Sequence, residues 1–567
     1  MGGQAWRRLT ILWATVVFVA VTPSLVAQGH LTTFYGQTPG DQFGVSVSGA
    51  GDVNQDGFDD VIVGAWLASS SYGPGSARVH SGADGSVLYT FFGDSALDCF
   101  GWSVAGAGDV NGDGFDDLIV GAYSDDNNGQ SSGSARVFSG VDGSVLYTFF
   151  GDSTGDVFGW SVDGAGDVNL DGHADLIVGA KWDDDGGAES GSARVFSGAD
   201  GSILYNFYGG SSRDQFGVSV AGAGDVNRDG FADVIVGEWL DNDNGTDSGS
   251  ASVLSGADGS LIYRFHGDSV ADYFGVSVNG AGDVDRDGYA DLIIGAYCDD
   301  DTGTDAGSAK VMSGATGAVL FTFFGDLPMD HFGLSVAGAG DVNDDGHDDL
   351  IVGTRYDDDG ALNAGSARVF SGADGAILNT FYGASTGDAL GSSVAGAGDY
   401  NADGFDDLIV GAMWEDSRGG AQVYSGFRCC PGASKSCTIL PCYDCPTMAA
   451  RTVGRPELGN TSFALELVRA PYNATFAILA IGSGFCHPKG IQTNFCDAIR
   501  VGTPTILVGA PLGAGLGFCG TTAQVSAPIP VIPALVGTEY GIQWAVSCGS
   551  STPGTSITNC TSFVVTN

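Results

Sequence analysis

A chain of 567 residues with a net charge of -47 and only 21 Lys and Arg would repel nucleic acid and anionic lipid, because phosphate binding needs clustered basic side chains. The same charge suits metal cations, basic partners or a saline medium, and it also serves solubility. Gly supplies 94 residues, more than twice the usual share of about 7%, with no collagen period and with plentiful Val, Ile and aromatics, which points to many short strands joined by tight turns.

Residues 1–28 read as a signal peptide. Arg7 and Arg8 form the charged region, Leu9 to Val21 the apolar run, and small residues cluster near Ala27. The alternative is an uncleaved anchor. Later in the chain the best apolar run, Thr505 to Phe518, is too short to span a bilayer and is broken by Pro and Gly. The expected location is therefore secreted or cell-surface, with no span in the mature chain.

Residues 29–427 repeat one unit. The first acids of a recurring loop are Asp52, Asp109, Asp167, Asp225, Asp283, Asp341 and Asp399, spaced 57 residues once and 58 thereafter. Such a period means a propeller, solenoid or array. Each unit holds four strand-like pieces, as in "FGWSVDGAG", "DLIVGA", "GSARVFSG" and "SILYNFYG", separated by turn formers. Four short strands per unit is the β-propeller blade pattern. The seventh unit stops at "GGAQVYSGF" without a fourth strand, and the missing piece, "LTTFYG" at Leu31 to Gly36, precedes the first unit. The fold expected is all-β: a seven-bladed β-propeller of four-stranded blades, closed by that N-terminal strand, which removes the raw edges of a linear array.

The recurring loop has the oxygen spacing of a calcium loop. Side chains at positions 1, 3, 5 and 9 and the carbonyl at position 7 can surround one hard cation, and Gly at position 6 permits the turn. The ligand sets are Asp52, Asn54, Asp56, Phe58 and Asp60; Asp109, Asn111, Asp113, Phe115 and Asp117; Asp167, Asn169, Asp171, His173 and Asp175; and Asp225, Asn227, Asp229, Phe231 and Asp233. The last three are Asp283, Asp285, Asp287, Tyr289 and Asp291; Asp341, Asn343, Asp345, His347 and Asp349; and Asp399, Asn401, Asp403, Phe405 and Asp407. Position 12 is Val or Ile inside a strand, so neither an EF-hand nor a dockerin-type helical loop fits. Up to seven structural Ca2+ ions are expected, the tightest at the all-acid fifth loop. The competing reading is a set of Asx-rich hairpin turns.

The stretch "FGVSVSGAGDVNQDGFDDVIVGA" resembles the FG-GAP repeat of the integrin alpha-subunit propeller and its bacterial secreted relatives. The resemblance covers about Leu31 to Phe427. The Phe-Gly pair recurs at Phe43, Phe100, Phe158, Phe216, Phe274 and Phe332, and the seventh copy departs with Leu390-Gly391. The resemblance implies that the loops hold calcium and stiffen the blades, and that ligands bind the opposite face.

On that opposite face the loops after "IVGA" are acidic, and an aromatic lies just beyond each strand: Trp66, Tyr123, Trp182, Trp239, Tyr297, Tyr356 and Trp414. These are the ligand-face candidates, suited to a sugar or to a basic partner through cation–π contacts. Equally, the aromatics could wedge between blades while the acids are solvated loop tips.

Residues 428–450 form a Cys/Pro-rich linker, and residues 451–567 read as a small β-sandwich-like domain. Ten of the twelve Cys lie after residue 428, which suggests disulfides in an exported chain; Cys442-x-x-Cys445 could instead bind zinc. Asn460, Asn473 and Asn559 match the glycosylation sequon. No catalytic set or cofactor fingerprint is evident. The expected function is a calcium-binding recognition or adhesion scaffold for an extracellular protein or glycan. The alternatives are a secreted polysaccharide-active enzyme or a purely structural envelope or matrix protein.

Overall fold

The computed structural model describes residues 29–68 and 73–426 and, in the C-terminal quarter, the backbone of strand segments between residues 450 and 564. The leader, the linker cysteines, Cys442-x-x-Cys445 and the three sequons lie outside the described residues. The chain divides into two compact units, one of them Gly29–Cys445 and the other holding Pro446–Asn567.

The first unit is a seven-bladed β-propeller: seven four-stranded antiparallel sheets, six of them running in chain order from an inner to an outer strand. The ring closes as the sequence predicts. His30–Tyr35 pairs antiparallel with Gly420–Tyr424 and supplies the outer strand of blade seven. Among the described residues, helix is limited to one 3-10 turn, Glu415–Ser417. No helix there is long and apolar enough to cross a membrane.

Strand chemistry follows depth. The second strand of each blade, such as Asp60–Ala65 or Asp117–Ala122, is buried along its whole length and reads as a continuous apolar run after its first Asp. Outer strands such as Val145–Phe150 alternate exposed and half-buried residues, because one of their faces meets water.

The Phe-Gly pair locks neighbouring blades. Phe43, Phe100, Phe158 and Phe332 are fully buried, and Leu390 fills the same place in blade seven with no exposure. Gly101 sits at φ +83°, and any Cβ there would collide with the carbonyl oxygen of Ser76 in the preceding blade. Three positions on, a serine ties inner strands together. Ser46 Oγ accepts the Val104 N–H at 3.1 Å, Ser103 takes Val162, and Ser393 takes Val47, which carries the same bond across the closure. The third junction differs: Ser161 donates to the Gly217 carbonyl, and Asp163 accepts the Gly222 N–H.

In the C-terminal unit the described strands form two antiparallel sheets, Ala450–Val453 with Ala464–Leu467 and Ala523–Ser526, and a larger one centred on Ala474–Ser483 and Glu539–Cys548.

Candidate functional site

The Asp-rich loops all lie on one rim, between the inner and second strands. In the first loop, Asp52 accepts the N–H groups of Asp56 and Gly57 at 3.0 and 2.8 Å, Asn54 accepts Asp56 N–H, and Asp56 accepts Phe58 N–H. Position 9 has a second task that the sequence does not announce. Asp60 is fully buried and accepts the N–H of Val53 and that of Gly82, so it pins the loop to the turn between the third and outer strands. The bond from that turn recurs at Asp117, Asp175, Asp233, Asp291, Asp349 and Asp407.

The residues fit a hard divalent cation. Each loop offers an all-oxygen donor set. Asp283 Oδ1 and Asn343 Oδ1, at ligand positions of loops five and six, are buried without a hydrogen-bond partner. Desolvation, followed by the charges of Asp56 and Asp52, pushes the Asp60 carboxyl up to about 7 against its two N–H donors. Burial drives Asp349 and Asp407 to about 8. A cation would relieve the crowding of negative charge that opposes ionisation here.

The loops are also chained to one another. Asp348, Asp406 and Asp59, at position 8, accept the N–H of Asp283, Asp341 and Asp399 in the preceding loop at 2.6, 2.8 and 2.8 Å, the last across the closure. His173 and His347, at position 7, donate Nδ1–H to the carbonyls of Val110 and Val284.

The opposite rim carries a chain of aromatic rings. Trp66 meets Trp102 edge-on at 5.4 Å, and Trp102 meets Tyr123 and Trp160 at 5.2 and 4.8 Å. Lys181 Nζ lies 3.1 Å from the Trp160 ring centroid and within 6 Å of those of Trp182 and Trp239. The chain continues through Trp239, Tyr273, Tyr297, His331 and Tyr356, at 5.1–5.5 Å between successive ring centroids. Burial pulls Lys181 down to about 7, while the Trp160 face favours its charged form.

The seven aromatics singled out from sequence fall into two registers. Trp66, Tyr123, Trp239 and Tyr297 directly follow the strand and are half-buried in the chain of rings. Trp182, Tyr356 and Trp414 stand one residue later, behind Lys181, Arg355 and Met413, and Trp182 and Trp414 are each 43% exposed. Trp414 lines a shallow depression of about 350 Å³ with Glu415, Asp416 and the Ala384–Thr386 turn.

The acids of this rim are not all solvated loop tips. Asp125, Asp183, Asp241, Asp299 and Asp357 are buried. Asp183 accepts Asp185 N–H and Ser192 Oγ–H at 2.8 and 2.6 Å, folding its own loop. Arg194 bridges Asp183 and Asp152 at 3.2 and 2.7 Å, with its guanidinium 5.5 Å from the Phe158 ring centroid. Burial alone would raise Asp152, but its bonds to Arg194 and Asp156 hold it below the usual carboxylate range.

A family model described as "FG-GAP repeat" matches residues 43–80, 100–138, 158–196 and 390–425, which are blades one, two, three and seven. The chain carries FG-GAP repeats. The relatives of this FG-GAP propeller include integrin alpha-5 of Xenopus laevis, 31% identical over 238 residues that cover 39% of this chain and 21% of the relative. Integrin alpha-V of Gallus gallus is 30% identical over 36% of this chain and 20% of its own length. Integrin alpha-2 of Bos taurus is 34% identical over 27% and 14%. The chain thus spans about a fifth or less of the length of these curated relatives.

Blades four to six of the FG-GAP propeller keep the same strand order and buried Phe. Sequence reasoning missed Trp102, Trp160, Tyr273 and His331 on the aromatic rim. They flank the Phe-Gly pair rather than following "IVGA", and their signal was the aromatic enrichment on either side of that pair in blades two, three, five and six.

Proposed function

We propose that this chain is an exported, calcium-stabilised recognition scaffold whose aromatic rim takes an extracellular protein or glycan. The observation that carries the reading is the chain of rings from Trp66 to Tyr356, joined at its middle by Lys181 between Trp160 and Trp239. Two of its members, Trp102 and Trp160, come from a position that other blades fill with Val, Leu or Ser, as at Val218, Leu334 and Ser392. Blade packing alone does not call for aromatics there. Stacked rings edged by acids and two cations suit sugar faces and charged side chains. The oxygen loops of the other rim bind up to seven Ca2+ ions in this reading, through positions 1, 3, 5, 7 and 9, and hold the ring rigid behind the rim.

A glycan array and a panel of extracellular-matrix proteins test it. Trp160→Ala and Trp239→Ala each remove a central ring, with an expected loss of about 2 kcal/mol, or roughly 30-fold in affinity. Melting curves taken in parallel separate lost binding from lost fold. Unchanged binding by folded variants overturns the assignment to this rim.

A further inference from the structure

We propose that Cys298, Asp305 and His331 form a binding site for a borderline divalent transition metal, Zn2+ by its ligand chemistry, at the junction of blades five and six. One ligand atom from each residue lies within 4.8 Å of the others. All three side chains are half-buried on the aromatic rim. A thiol, an imidazole and a carboxylate are the donors that zinc prefers, and three protein ligands leave one position for water or for a partner's group.

The same three backbone positions come together at other blade junctions. The residue before the Phe-Gly pair donates its N–H to the loop carbonyl at Val157–Ser131, Tyr273–Asp247 and His331–Asp305, at 3.1–3.3 Å. Side chains at the two loop positions meet in blade two, where Ser124 and Ser131 hydroxyls lie 3.4 Å apart. Elsewhere the trio reads Ser124, Ser131, Val157; Trp182, Glu189, Gln215; Leu240, Asp247, Tyr273; or Tyr356, Asn363, Ala389. Among these junctions, one alone is furnished with three ligating side chains.

The His331 ring is held edge-on between Tyr297 and Tyr356, each at 5.1 Å, which fixes the imidazole and thins the water around it. Burial, helped by the charge of Arg355, favours the neutral form that can ligate, against the opposing charge of Asp305. Arg355 also opposes a cation here, and Asp305 and Asp300 offset it. The site differs in kind from the oxygen loops on the other rim, so excess Ca2+ does not compete for it.

The test uses the full chain in excess Ca2+, with alkylation at Cys298 read by peptide mass spectrometry with and without Zn2+. Zn2+ is expected to slow Cys298 alkylation at least ~10-fold, the scale of even outer-shell losses in metal affinity. Cys99 in the same digest should not respond. The protection should vanish in Asp305→Asn and in His331→Gln, a substitution that fills most of the imidazole volume, with melting curves confirming the fold. Co2+ supplies a second readout: the wild-type minus C298S difference spectrum should contain a sulfur-to-cobalt charge-transfer band. Equal alkylation rates with and without Zn2+, protection that survives both ligand substitutions, or a difference spectrum without that band overturns the proposal. None of these outcomes depends on the ligand of the aromatic rim.

Discussion

At the scale of residues, glycine at the Phe-Gly pair is dictated by two independent constraints. Gly101 needs the left-handed region and also has no room for a Cβ beside the Ser76 carbonyl. Gly101→Ala is therefore expected to cost more than about 1 kcal/mol in urea unfolding, since alanine fits neither the conformation nor the space. Gly57, also at positive φ but with open space around it, should suffer only the conformational part. A second residue-level relation lies inside the repeats. Blades two, three, five and six place Arg136, Arg194, Lys310 and Arg368 on the third strand opposite Asp94, Asp152, Asp268 and Asp326, at 2.6–2.7 Å. Blades four and seven have Gly210 and Ala384 at the acid's position, and Ser252 and Gln422 at the cation's. A buried cation that loses its partner is strongly destabilising, so those two blades change both positions; blade one keeps Arg78 with Gln37 at the acid's position, and there the guanidinium donates to the Tyr35 carbonyl at 3.2 Å instead. A double-mutant cycle of Arg194→Met with Asp183→Asn should show a coupling of about 1–3 kcal/mol, while single surface acids such as Asp184 should show none.

At the scale of elements, the closing strand is the sharpest case. Deleting His30–Tyr35 removes Phe34, itself 8% exposed, and uncovers the Gly420–Tyr424 edge and the apolar cluster that Phe34 helps to fill, including Ala421 and Val423. The shortened chain should lose its single cooperative melting transition and aggregate, read by calorimetry and light scattering. This strand was legible because the seventh repeat visibly lacked its fourth piece. The loop spacing and blade order were equally legible, since they are local patterns in the chain. What the sequence hid lies across junctions. That Asp348 reaches back to Asp283, or that Ser103 takes the Val162 N–H, depends on how neighbouring blades stack, and a 58-residue period does not encode that angle. The aromatic rim was half-read for a related reason. Trp182 and Trp66 look equivalent beside their strands, yet a one-residue offset turns them to different faces.

At the scale of the whole molecule, charge and metal set the stability together. The carboxyls at position 9 stand above their ordinary value of 3.8, at about 6 for Asp117, Asp175, Asp233 and Asp291, about 7 for Asp60 and about 8 for Asp349 and Asp407. Between roughly pH 4 and 8 the metal-free folded state therefore holds more protons than the unfolded chain, and its stability falls as pH rises. In EDTA the melting temperature should be higher at pH 5 than at pH 8. Ca2+ at about 1 mM should reverse that order, because it binds the deprotonated oxygens. With a dissociation constant of about 10⁻⁴ M, each site adds roughly 1.4 kcal/mol, and seven add about 10. Carboxyls held low by a cation, such as Asp152, act in a separate window and weaken the fold only as pH drops below about 4. A melting temperature indifferent to both chelator and pH would remove the metal from this account.

The seam of the ring has one more consequence. Ser425 N–H reaches the Gly29 carbonyl at 2.6 Å, so the propeller's first and last residues touch. Topologically the domain is a circle cut at an arbitrary place. Joining those ends with a short linker and reopening the chain in the exposed Ala257–Asp258 turn of blade four, the counterpart of the seam between third and outer strands, should yield a circular permutant with the same blades. Such a permutant would move the point of attachment to any neighbouring module halfway around the rim while leaving both faces intact.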